Sequence, residues 1–72
     1  MAKTGSVKDL YPEGNDGSMD GGAGEVTEDG TGKVYVFLTI DGVVQTSVPL
    51  SKGTKVTFDA LSSEEATHVQ KQ

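Results

Sequence analysis

Seventy-two residues, with 6 Lys+Arg against 11 Asp+Glu, leave room for one small domain of formal charge -5; a chain this short buries only roughly 60% of its unfolded surface, too little to frame a wide catalytic cleft. An apolar share of 33%, ten glycines and no cysteine argue against an enzyme, a disulfide scaffold or a zinc ribbon, and for a compact, loop-rich binding module. The acidic balance opposes broad attraction to nucleic acid or anionic lipid, and with no apolar run near the roughly 18–20 residues of a membrane span and no secretory signal behind Lys3, a cytoplasmic location away from membranes is expected.

The charge is uneven along the chain. Residues 1–32 carry two lysines and seven carboxylates while residues 33–72 balance, so the whole net charge lies in the first half. Residues 5–11 read as a first strand anchored by Val7. Residues 12–22 hold four glycines and a single apolar side chain, Met19, and are expected to form a long mobile loop. Residues 24–27 predict a second strand, running into a glycine turn at 28–32. The strongest strand signal is at 33–40, where Val34, Val36, Leu38 and Ile40 share one face and Tyr35, Phe37 and Thr39 the other, as in a central strand apolar on both sides. Asp41-Gly42 is a hairpin-type turn signal, and Pro49 confines the short strand or extended connection at 43–48 to an edge. After the Lys52-Gly53 turn, residues 54–60 alternate cleanly, with Val56, Phe58 and Ala60 inward and Lys55, Thr57 and Asp59 toward water.

The tail offers two structures. Ser62-Ser63-Glu64-Glu65 has the pattern of a helix capping box, yet only seven residues follow, too few for a helix without packing support. A final strand through Ala66, Thr67, His68 and Val69, with Val69 inward, is preferred. Four or five short strands with glycine turns predict an all-β fold, a small sandwich or barrel.

The order of segments resembles the bacterial cold-shock domain. The residues that carry the likeness are Thr4-Gly5-Ser6-Val7-Lys8, then Gly22-Ala23-Gly24-Glu25-Val26 entering the acidic turn at Gly30, then Val34-Tyr35-Val36-Phe37-Leu38, then Lys52-Gly53-Thr54-Lys55-Val56-Thr57-Phe58, and last Ala66-Thr67-His68-Val69. The resemblance spans nearly the whole chain and implies a five-stranded OB-like barrel that binds single-stranded RNA or DNA. The family's functional residues transfer poorly. Where it has Lys-Trp-Phe-Asn this chain has Lys8-Asp9-Leu10-Tyr11, and where it has Lys-Gly-Phe-Gly-Phe this chain has Gly21-Gly22-Ala23-Gly24-Glu25. The second motif, Val-Phe-Val-His-Phe, becomes Val34-Tyr35-Val36-Phe37-Leu38 and keeps two rings. Each stacked base is worth roughly 1–3 kcal/mol, so loss of these platforms predicts weakened or altered nucleic-acid binding. The alternative is a protein-interaction module on the same barrel.

The candidate binding residues are Lys8, Lys33, Tyr35 and Phe37. Tyr35 and Phe37 are expected on the outward face, covered by the 12–22 loop or awaiting a peptide or a stacked base. Lys33, Lys52 and Lys55 can form a small cationic patch, but protection of a strand from edge pairing is the preferred reading. An edge near Val43-Val44 allows a weak homodimer; otherwise the chain is a monomer. Asp16, Ser18 and Asp20 match the start of a calcium loop, but Thr27 stands where its bidentate glutamate belongs, and an acidic solvated loop is the preferred reading. His68 has no Ser or Cys motif to serve, so no catalytic pair is expected. Gly22 and Gly24 lack the third glycine and the helix of a phosphate loop. No cofactor is implied.

Overall fold

Glycine turns and alternating apolar residues organise the described residues of this chain into five strands. A computed structural model describes residues 2–11, 22–39, 42–43 and 50–72. The strands are β1 (Lys3–Tyr11), β2 (Ala23–Glu28), β3 (Val34–Leu38), β4 (Lys55–Ala60) and β5 (Ala66–Lys71). They form one antiparallel sheet in the order β3-β2-β1-β4-β5. The sheet curls so that its two outer strands approach: Val36 N–H donates to the Glu64 carbonyl at 2.8 Å, beside a parallel bridge between Val36 and Glu65. Val43 adds a second parallel bridge to Val69, whose N–H donates to the Gly42 carbonyl. The tail is thus a strand, as preferred. Its capping-box residues form the β4–β5 turn, closed where the amides of Leu61 and Ser62 both donate to the Glu65 carbonyl. Residues 12–21 of the expected loop, the calcium pattern within them and residues 44–48 of the segment after Gly42 lie outside the described residues.

Two irregularities decide which side chains enter the core. In β1, Val7 opposes Val26 and Asp9 opposes Glu25, so Lys8 is an extra residue on the first strand. That bulge lets Val7 and Leu10 both face inward although they are three apart. In β5, Thr57 opposes Gln70 and Asp59 opposes Thr67, so His68 and Val69 of β5 stand opposite the single residue Phe58 of β4. There His68 takes a left-handed φ of 53°, and Ala66 and Val69, again three apart, are both buried.

The core corrects the expected orientation of β3. Tyr35 and Phe37 are buried, at 4% and 1% exposure, whereas Val36 and Leu38 face solvent. Both faces of this strand are apolar, so alternation alone does not choose between them; the larger rings remove more apolar surface from water and take the inside. Gly24 makes room for this choice, since a Cβ there would stand 2.5 Å from Phe37 Cζ and 3.0 Å from Leu10 Cδ2. Tyr35 packs on Phe58 with ring centroids 5.3 Å apart and planes tilted by 56°. A second correction is positional: β3 ends the strand order instead of lying at its centre. In β4, Val56 and Phe58 are buried as predicted, but Ala60 is exposed at the strand's end.

Candidate functional site: an apolar and acidic sheet face

The outward face of β1, β2 and β3 follows from their register. Tyr11, Ala23 and Leu38 stand side by side across the three strands, and Asp9, Glu25 and Val36 form the next row. Tyr11, Val36 and Leu38 are among the exposed large apolar residues, at 44%, 42% and 54%. Leu61 in the β4–β5 turn is the fourth, at 65%. It joins Val36 and Leu38 along an open groove of about 390 Å³, whose other walls include Glu65, Thr67 and His68.

Ion pairs set the electrostatics of this face. Lys8 Nζ lies 3.9 Å from a Glu25 carboxylate oxygen and Lys52 Nζ 3.3 Å from Asp9. The Leu10 amide donates to the Asp9 carboxylate at 3.0 Å and, with Lys52, holds its pKa below the ordinary aspartate value. Partial burial, reinforced by the charges of Asp9 and Glu25, pushes the Tyr11 phenol upward. At the far end of β2, Glu28 accepts from Lys3 Nζ at 3.1 Å and from the Thr31 hydroxyl at 2.9 Å, which lowers its pKa and raises that of Lys3.

The four residues singled out from sequence do not converge. Lys8 is exposed on the β1 bulge beside Glu25. Lys33 precedes β3 with its ammonium 5.1 Å from the Tyr35 ring centroid, a cation–π contact at the rim of the core. Tyr35 and Phe37 lie beneath the sheet, not on its surface. Lys55 stands 3.8 Å from Asp29, so the lysines proposed as a cationic patch each have a local partner. Tyr11, Leu38 and Leu61 are not among the residues the sequence singles out. Tyr11 is signalled by the three-residue spacing of Val7 and Leu10, which betrays a bulge, and Leu38 by the rival parity of β3, while Leu61 in the β4–β5 turn carries no sequence signal.

Among the described residues, no three His, Asp or Glu side chains gather as metal ligands, and no helix is long and apolar enough to cross a membrane. His68 Nδ1 lies 3.6 Å from an Asp59 carboxylate oxygen, with both side chains well exposed. Comparison with family models, curated proteins and solved structures finds no match.

Proposed function

We propose that this chain is a non-catalytic binding module whose outward β1–β2–β3 face recognises polypeptide, on a sheet that serves as an OB-like barrel of the cold-shock type. The barrel is supported by the strand order and by the approach of β3 to the β4–β5 turn. The observation that carries the function is the pair of rows Tyr11–Ala23–Leu38 and Asp9–Glu25–Val36. Single-stranded nucleic acid is held by cations along the phosphates and by rings under the bases. Here the face offers one ring among the described residues and two carboxylates, each already paired with a lysine, Asp9 with Lys52 and Glu25 with Lys8. Contiguous aliphatic side chains open to water, bordered by charge, instead suit the side chains of another polypeptide.

An amide-shift NMR titration of the ¹⁵N-labelled chain at low salt tests this. A short peptide with a Leu-x-Val core is expected to move the amides of Tyr11, Val36 and Leu38, and oligothymidine to leave them in place. Shifts on the same face with oligothymidine, weakening with salt at a slope of about -0.7 per phosphate contacted, would return the module to nucleic-acid binding.

A further inference from the structure

The carboxylates of this molecule are not equally served. Asp9, Glu25, Glu28 and Asp29 each have a lysine within 4 Å, and Asp59 has His68, a cation only when protonated. Among the described residues, the two acidic side chains with neither a lysine nor a histidine within 4 Å are Glu64 and Glu65. Both are exposed and both belong to the turn that borders the groove, with Glu65 forming part of its wall. The lysines are engaged elsewhere: Lys3, Lys8, Lys52 and Lys55 in ion pairs, Lys33 over Tyr35, and Lys71 in an interaction of its own. No ion pair among the described residues involves Glu64 or Glu65, so a cation from a partner can approach both without displacing a lysine. Beside them lie Val36, Leu38 and Leu61, three large aliphatic side chains left in water around one groove.

We infer that this groove takes an aliphatic side chain of an extended, cationic polypeptide segment, whose flanking lysines or arginines pair with Glu64 and Glu65. The inference rests on the sheet face binding polypeptide, and adds the partner's chemistry and its anchor point. The Val36 amide is already bonded to the Glu64 carbonyl, so recognition at this point uses side chains and not an added strand. A second copy of the chain is the poorer occupant, because its described lysines are already engaged. An acidic segment would set its carboxylates against two unpaired ones.

Three acetylated, amidated peptides separate the possibilities by NMR titration: Lys-Leu-Lys-Val-Lys, Gln-Leu-Gln-Val-Gln and Glu-Leu-Glu-Val-Glu. Affinity is expected in that order, with shifts centred on Leu38, Leu61, Glu65 and Thr67, and with salt weakening the lysine peptide alone. The double variant Glu64→Gln with Glu65→Gln should lower lysine-peptide affinity by about threefold or more, as expected for two partly exposed ion pairs, and leave the glutamine peptide unchanged. Leu61→Ser, at a side chain too exposed to support the core, should weaken both. Equal affinity for all three peptides, or an unaltered response of the double variant, overturns the cationic assignment while polypeptide binding by the face survives. Shifts confined to residues away from the groove overturn the anchor point. No response to any peptide overturns both, and self-association that protects Leu61 without peptide would give the groove to a second copy.

Discussion

Gly24 faces the core from β2, and Phe37 lies across the space a side chain would fill. Gly24→Ala should therefore force the ring or Leu10 to shift and cost about 1–3 kcal/mol, read as a lower midpoint in urea with an unchanged slope. An unaltered midpoint would show that the ring moves freely. His68 presents the opposite case, a side chain where glycine fits best. Its φ of 53° at the β5 bulge is a conformation that L-residues adopt at a cost of roughly 1–2 kcal/mol. His68→Gly should stabilise the chain by about 1 kcal/mol after glycine's own entropy cost, raising Tm by about 4–8 °C. A lower Tm would mean that the exposed pair with Asp59 contributes more than such pairs ordinarily do. Neither residue's role can be seen in the linear chain. The inward parity of β3 is equally hidden, because Tyr35 and Phe37 compete with Val34, Val36 and Leu38, and the larger area of the rings wins only where Gly24 leaves them room.

At the scale of elements, regular segments were legible and irregular ones were not. Val56 and Phe58 alternate with polar residues on an unbroken stretch of β4, so their burial follows from a period of two. Val7 and Leu10, or Ala66 and Val69, share a face only because a bulge adds a residue between them, and a period-two pattern has no place for that residue. The same bulge in β1 carries Tyr11 outward, which is why the apolar row of the candidate site escaped notice. The strand ends are also tied electrostatically. Lys3 of β1 pairs with Glu28 of β2, and Lys52 before β4 pairs with Asp9 of β1. Glu28 and Asp9 both have depressed pKa values, so each adds stability above the ordinary carboxylate range, and that stability is lost as pH falls through the depressed values. Glu28→Gln keeps an acceptor for Thr31 but removes the charge. A plot of Tm against pH should then show a lower plateau near neutrality and a shallower fall in acid, and superposable acid limbs would assign the acid sensitivity to other groups.

Over the whole molecule, the curled sheet separates a ring-rich interior from an aliphatic and acidic exterior. Phe37, Phe58 and Tyr35 stabilise the core, and Tyr11 is the single ring left on the outward face among the described residues. On the proposed polypeptide-binding reading, the outward face lacks the rings and free cations of a nucleic-acid surface, and three substitutions should supply them. Asp9, Ala23 and Glu25 occupy adjacent outward positions of β1 and β2, so Asp9→Trp, Ala23→Phe and Glu25→Phe would set three rings beside Tyr11. They would also release Lys52 and Lys8 from their carboxylates, turning a locally neutral patch into one with two unpaired cations. With roughly 1–3 kcal/mol per stacked base, the triple variant is expected to bind oligothymidine measurably at low salt, with affinity falling as salt rises. The original chain should not bind it. A variant that keeps its strand register by NMR yet ignores oligothymidine would show that the curvature of this face, and not its residues alone, excludes a base stack.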